Sequence, residues 1–447
     1  MIKTSSFEQH KRLFYLALPM VLSNITVPLL GLVDTAVIGH LEHAYFLGGS
    51  TIGAMLITLV VSLCGFLRMS TTGLSAQTLG LGDLSKNLLV LLRGVFLAFI
   101  IGLLLILLQS PFLDIALTVA GGSEKVQWYA YQYAQIRIWG VPASLANLVI
   151  LGWLIGNQQG KTVMWVLIAT NLVNVFLDLV FVYVFNWQVQ GVALASLLAE
   201  YSGMSLGIVF IAKYYKNALK KLLLDKQQFN RLLLNKQVLR NYFQLNRDIL
   251  IRTLCLQACL LFITFQGARL GDTVVAANAI LMNFLLLISF SLDGIANATE
   301  AMVGKAHGEK NLKELKRTVN ISLFWSFIFA CFYALLFAVF GSFFLTIISD
   351  IPSVIDFAQQ YIAWMVLLPL VSCWCFLYDG VYIGLMQAKV MRNSMIVATF
   401  GCFFPVWYLL QDMGNHSLWA AYSAFMLVRG ISLAWHFHYY QAESTYA

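Results

Sequence analysis

The chemistry of this 447-residue chain centres on carboxylates that interrupt long apolar runs. A charged side chain at the centre of a bilayer costs roughly 3 kcal/mol on insertion scales, so each such residue is expected to face a cavity or a polar partner. A carboxyl held away from water also favours its protonated form, which suits a proton carrier. The acids placed in this way are Asp34, Asp178, Glu200, Asp293, Glu300 and Asp379.

The run that contains Asp178 carries a polar stripe. Asn171, Asn174 and Asp178 follow one another at spacings that put their side chains on one face of a helix. Because the rest of the run is apolar, this face is predicted to point into the protein. Two interpretations stay open: a pocket in which Asp178 and Asp34 bind protons, or hydrogen bonds that only join helices.

The first apolar run contains a predicted hinge. Pro28 cannot donate a backbone hydrogen bond to the carbonyl of Asn24, so the helix is expected to bend between these residues. Asp34 follows the bend. An acid beyond a bend suggests a movable part, and the alternative is a fixed kink with Asp34 solvated near the helix end.

The remaining acids fit structural and functional roles equally well, and they are secondary candidates for the proton site. Asp293 and Glu300 are seven residues apart and share a helical face, whereas Asp379 begins an Asp-Gly pair. Arg137 is expected to pair with one of the acids, and the sequence leaves its partner open. Arg68 and Arg137 are the two arginines expected deep in the membrane.

The composition predicts the fold class. Hydrophobic residues make up 60% of the chain, charged residues only 11%, and the net charge is +8, whereas soluble domains are about 25% charged. Since a spanning helix needs about 20 apolar residues, we predict an all-α membrane protein with twelve transmembrane helices. The predicted spans lie near residues 14–38, 51–74, 88–109, 129–153, 162–185, 190–212, 247–268, 275–302, 318–346, 357–385, 393–411 and 416–438.

The basic residues predict the orientation of these spans. With the N-terminus inside, most Lys and Arg residues fall on the cytoplasmic side, and the outer connections hold only Lys125 and Arg269. This asymmetry follows the positive-inside rule. We therefore expect a multi-pass protein of the bacterial inner membrane with both termini cytoplasmic, and we assign the net charge to topology rather than to a nucleic-acid partner.

The two halves of the chain repeat at a shift of 228 residues. Gly152-x-x-Ile155-Gly156-x-x-Gln159 aligns with Gly380-x-x-Ile383-Gly384-x-x-Gln387. Six helices are an even number, so both halves should run in the same direction through the membrane. A pseudo-twofold axis along the membrane normal, with a cavity between two six-helix lobes, is the predicted arrangement. The expected division is an N-lobe over 1–212, a cytoplasmic amphipathic linker over 213–246 and a C-lobe over 247–447.

Other chemistry has little support in the sequence. The seven cysteines form no CxxC pair and the histidines show no ligand spacing, so we expect no disulfide, no metal site and no cofactor. No HExxH or GxSxG motif occurs, which argues against an enzyme.

Four blocks of the chain resemble the multidrug and toxic compound extrusion family, and within it the DNA-damage-inducible F branch. They are LALPMVLSNITVPLLGLVDTAVIGHL (16–41), RMSTTGLSAQ (68–77), PASLANLVILGWLIG (142–156) and LNRDI (245–249). The resemblance implies drug/cation antiport by alternating access. It also implies a polar network in the N-lobe at Asp34, Asn174 and Asp178, which Tyr133 joins.

The same resemblance bears on the coupling ion. Other branches of the family place a sodium site in the C-lobe, with an acid on the seventh helix and another on the tenth, where Asp379 would count. The seventh predicted span has no acid between Ile249 and Phe265, which favours protons over sodium.

We therefore predict a monomeric, proton-coupled exporter of amphipathic or cationic drugs that works among membrane lipids. The alternatives are a sodium-coupled drug exporter and a flippase for a lipid-linked precursor. A flippase of this architecture is expected to line its cavity with several basic residues, and only Arg68 and Arg137 are expected to lie deep.

Overall fold

The computed structural model describes the backbone of residues 6–39, 44–121, 123–224, 236–349 and 351–446. Nearly all of this part of the chain is helical, and it contains no β-strand. Side chains are described for 7–26, 33, 37–38, 45–121, 123–216, 236–237, 239–349 and 351–439. The helices are α1 (Ser6–Gly39), α2 (Ala44–Leu63), α3 (Phe66–Gly80), α4 (Leu84–Leu107), α5 (Gln109–Ala120), α6 (Glu124–Arg137), α7 (Val141–Gly156), α8 (Gly160–Leu179), α9 (Gln188–Leu224), α10 (Lys236–Leu270), α11 (Asp272–Gly308), α12 (Leu312–Ile348), α13 (Pro352–Gln359), α14 (Ile362–Gly384), α15 (Ala388–Ala398), α16 (Phe404–Leu409) and α17 (Asn415–Tyr446).

Ten helical segments in the described part are long and apolar enough to cross a membrane. The other two predicted spans correspond to α1 and to the stretch from α15 to α16, which a π-helical turn at Thr399–Phe403 joins. The prediction of an all-α membrane protein with twelve helices in two lobes is confirmed.

The second and fourth predicted spans each contain a break that the hydrophobic pattern did not predict. The second span is divided into α2 and α3 at Cys64 and Gly65. The fourth is divided into α6 and α7 by a 3₁₀ turn at Ile138–Gly140, just before Pro142. A proline removes one backbone donor and is best accommodated in the first turn of a new helix, which explains the second break.

The chain forms two compact units. One contains Leu22–Tyr242, and the other contains Met1–Val21 together with Phe243–Ala447. The first boundary therefore lies inside α1, whereas the predicted N-lobe contains all of residues 1–212. The predicted linker at 213–246 is helical at both ends, within α9 and α10, and residues 225–235 lie outside the described residues.

Side-chain contacts explain why the start of α1 belongs to the second unit. Gln9 donates a hydrogen bond of 2.6 Å to Glu314 on α12. The indole of Trp325 donates one of 2.9 Å to His10, and Phe14 packs edge-on against Trp325 with ring centroids 4.3 Å apart. These contacts join residues distant in sequence, so the repeat alone does not reveal them.

The backbone repeats at the shift of 228 residues found in the sequence. Left-handed conformations occur at matching positions, Gln158 with Met386 and Gly82 with Lys310. Positive φ is unfavourable for residues other than glycine, so its recurrence indicates that each half needs the same tight turn there. Asp83 and Asn311, also 228 apart, both cap the next helix with a side-chain oxygen.

The repeated glycines have the same packing role in both halves. A Cβ atom on Gly152 would lie 2.5 Å from the carbonyl oxygen of Arg68, and one on Gly380 would lie 2.7 Å from that of Ala296. The two contacted residues are themselves 228 apart. The glycines therefore allow the same close approach of two helices in each half.

Candidate functional site

The polar stripe predicted on the fifth span lies on α8. Its part nearer the C-terminal end of the helix joins α8 to α9. Asn174 is buried and donates a hydrogen bond of 3.1 Å to the hydroxyl of Ser196, which is also buried. Asp178 lies one turn further along the same face and is fully buried, with 0% of its surface exposed. The stripe therefore faces the protein interior, as its spacing predicts.

The other end of the stripe joins α8 to α1. Asn171 donates a hydrogen bond of 2.9 Å to Oγ1 of Thr26. The hydroxyl of Thr26 in turn donates to the carbonyl oxygen of Ser23 at 2.7 Å. Thr26 was not among the predicted site residues, because a threonine in an apolar helix most often bonds only to its own backbone.

Tyr133 lies on α6 and is buried, with 4% of its surface exposed. It belongs to an apolar cluster that includes Val37 of α1 and Val182, in the π-helical turn after α8. Val37 is three residues beyond Asp34, and Val182 is four residues beyond Asp178. The structure thus brings together Tyr133 and the turns that follow the two predicted proton-binding acids.

The backbone of α1 is helical through Asn24, Pro28 and Asp34, from Ser6 to Gly39. The side chains of Pro28 and Asp34 lie outside the described residues, whereas Asn24 is half-buried. The conformation described here therefore has a continuous first helix at the predicted hinge.

In the second unit, one acid is held by two arginines. Asp379 on α14 accepts hydrogen bonds from Arg252 on α10 and from Arg429 on α17, the latter at 2.6 Å. All three side chains are buried. Asp379 therefore forms a buried ion cluster, which we call the C-half clamp (Arg252, Asp379 and Arg429).

The clamp corrects the expectation that only Arg68 and Arg137 lie deep. Arg252 lies five residues inside the predicted seventh span, and Arg429 lies inside the predicted twelfth. Both could have been found by applying to arginines the reasoning used for the acids, that a charge inside an apolar run needs a partner.

The two remaining secondary acids also lie in this unit. Glu300 on α11 is buried and Asp293 is half-buried. The clamp itself joins one carboxylate to two guanidinium groups.

The partner of Arg137 is Glu200 on α9, with 4.0 Å between the guanidinium and carboxylate atoms. Glu200 is further held by Asn147 of α7, whose amide donates to its backbone oxygen at 2.8 Å and to its carboxylate at 3.1 Å. This assigns the acid that the sequence left open.

Within the described residues, no cluster of three or more His, Cys, Asp or Glu side chains could hold a metal ion. The side chains that the structure places along the α8 stripe are amides, hydroxyls and one carboxyl. Such a set can exchange a proton and orient it through hydrogen bonds.

A family model for MatE matches residues 19–180 and 249–409, one match in each half of the chain. The chain belongs to the MatE family. It is similar to DNA damage-inducible protein F of Escherichia coli (strain K12), with 41% identity over 96% of this chain and 92% of the relative. It is also similar to the probable multidrug resistance protein NorM of Acinetobacter baylyi, with 26% identity over 97% of this chain and 96% of that protein.

A solved structure of MATE in the straight conformation has the same fold, with a TM-score of 0.85 and 17% identity over 98% of this chain and 97% of that one. The predicted family is therefore confirmed. As a MatE protein, the chain is a multi-pass membrane transporter and not an enzyme.

Proposed function

We propose that this MatE protein exports amphipathic or cationic small molecules across the bacterial inner membrane by alternating access, in exchange for protons. The observation that carries the proposal is the α8 stripe, which ends in the fully buried Asp178 and bonds to both α1 and α9. The names of its relatives, which include a probable multidrug resistance protein, support the substrate class.

Protons are favoured as the coupling ion because the stripe is neutral apart from its carboxyl. Burial favours the protonated form of a carboxyl, and neighbouring amides and hydroxyls can bond to either form. We propose that Asp178 and Asp34 take up protons from outside, that this favours the bent form of α1, and that drug then leaves the N-lobe.

Sodium is disfavoured by the C-half clamp. Asp379, the acid that a C-lobe sodium site would use, already accepts hydrogen bonds from Arg252 and Arg429. An approaching Na⁺ would meet two like charges at close range. The seventh span also supplies no acid between Ile249 and Phe265 as a second ligand.

The clamp also disfavours the flippase alternative. Its two arginines raise the number of deep basic residues above the two expected. Both are engaged by Asp379, however, and Arg137 faces Glu200. Each of these guanidinium groups already faces a carboxylate, so it is poorly suited to hold a lipid diphosphate.

Purified protein in proteoliposomes tests the proposal. We expect an imposed proton gradient to drive export of a cationic drug in sodium-free buffer, and the drug to drive proton movement in return. A proton ionophore should stop both fluxes. Export that requires a sodium gradient and ignores the ionophore would contradict proton coupling while leaving drug transport intact.

A further inference from the structure

The first helix is divided between the two compact units, with the boundary after Val21. Its early part is held in one unit by His10 and Phe14, which contact Trp325, and by Val21, which packs against Gly294. Its later part, from Leu22 onward, belongs to the unit that contains α8. A contact just after the boundary therefore acts on the later part of α1.

The hydrogen bond between Asn171 and Thr26 is such a contact. The hydroxyl proton of Thr26 is used in its own helix, on the carbonyl of Ser23, so its oxygen is left to accept the amide of Asn171. Replacing Thr26 by valine keeps the shape of the side chain and removes this acceptor.

The position of Thr26 gives this hydrogen bond a role beyond the contact between the two side chains. Two residues later, Pro28 cannot donate to the carbonyl of Asn24, so the ladder of backbone hydrogen bonds in α1 is weakest there. On the other side, Asn171 lies on the same face of α8 as Asp178, about 10 Å away along the helix. The bond thus links the weak point of α1 to the face that carries the buried acid.

We propose that Thr26 is a positioning residue, whose bond to Asn171 holds the later part of α1 against α8 in the straight form and opens when α1 bends. The inference rests on the proposed transport cycle. A net hydrogen bond corresponds to about a fivefold change in an equilibrium constant. Its loss should favour the bent form by about that factor.

Two measurements on the full-length protein test this. Hydrogen–deuterium exchange of residues 22–39 should rise about fivefold in Thr26→Val, while exchange of residues 7–21 stays unchanged. In proteoliposomes, Thr26→Val should move the half-maximal point of the pH profile up by about 0.7 unit if one proton is coupled to bending, since less protonation is then needed to bend α1. Drug affinity should stay within twofold of wild type.

Several variants make the test specific. Thr26→Ser, which keeps the acceptor, should restore wild-type behaviour, and Asn171→Ala should reproduce Thr26→Val. The double variant should be no worse than either single one. The matched control is Thr51→Val on α2, which removes a hydroxyl whose bond goes to Leu47 of the same helix.

The outcomes separate the two proposals. If wild type exports drug with protons but Thr26→Val keeps the wild-type exchange and pH profile, the positioning role is wrong and the proposed function stands. Additive effects in the double variant would also overturn it. If wild type shows no proton-driven export, the function is wrong, and the exchange data still decide whether the bond holds α1.

Discussion

The two halves of this transporter share a backbone but treat their buried acids differently. In the first half, Asp178 ends a stripe of amides, and its companion Asn174 bonds to a serine. In the second half, Asp379 lies between two guanidinium groups. Positions 228 residues from Arg252 and Arg429 hold Asn24 and Tyr201, so the basic partners occur in one copy of the repeat only.

This difference suggests that the two halves have different roles. A carboxyl on a stripe of neutral amides can change its protonation without leaving a buried arginine unpaired, whereas a carboxylate that holds two arginines cannot. We infer that the first half carries the titrating site and that the second half is a scaffold stabilised by its ion cluster. Three experiments can break or sharpen this comparison.

The largest functional effect is expected at Asp178. Asp178→Asn removes the titrating group from a fully buried site and keeps its shape. Proton-driven uphill export should be abolished, while drug–drug exchange, which moves no net proton, persists, and the protein should stay folded because a buried charge is removed. Asp34→Asn should behave in the same way.

The control for this experiment is Asp114→Asn on the exposed side of α5, which should transport normally. If Asp178→Asn exports drug uphill at the wild-type rate, the proton site lies elsewhere and the division between the halves is wrong.

The largest effect on stability is expected at Asp379. Asp379→Asn leaves Arg252 and Arg429 buried without their shared counter-charge, which should cost about 3–5 kcal/mol. We expect a clear fall in the thermal unfolding temperature in detergent and a lower yield of monodisperse protein. A variant that is as stable as wild type but loses proton coupling would move the titrating site to the second half.

The smallest effect on stability is expected when the two equivalent helix caps, Asp83 and Asn311, are replaced by alanine. Asp83 accepts a hydrogen bond of 2.9 Å from the backbone N–H of Lys86, and this bond lowers the pKa of Asp83 below its ordinary value. Asn311 accepts one of 3.1 Å from the N–H of Glu314. Replacing either cap by alanine should cost about 1 kcal/mol at neutral pH.

The pH dependence distinguishes these caps. The folded-state pKa of Asp83 is depressed, so its contribution is present above the unfolded pKa and is lost as pH falls through the folded pKa. The cost of Asp83→Ala should therefore shrink below about pH 4, whereas Asn311→Ala should show no such dependence. Thermal unfolding in detergent at pH 3.5 and 7 measures this, and a parallel response of the two variants would contradict it.

The sequence by itself determined the class of the protein, the approximate spans, the repeat and the inward face of α8. These features depend on local composition and on helical spacing, and bilayer thickness and backbone hydrogen bonding constrain them strongly. The repeat is visible because close helix contacts require glycine, as at Gly152 and Gly380, and because tight turns recur at equal spacing.

Only the tertiary structure decided which polar groups meet. The pairing of Arg137 with Glu200, the C-half clamp and the bond from Asn171 to Thr26 each join residues at least 50 positions apart. Helical spacing predicts the face on which a side chain lies, but not which of eleven other helices that face contacts. The same limit applies to α1, whose first turns pack with the second half because Gln9, His10 and Phe14 find their partners there.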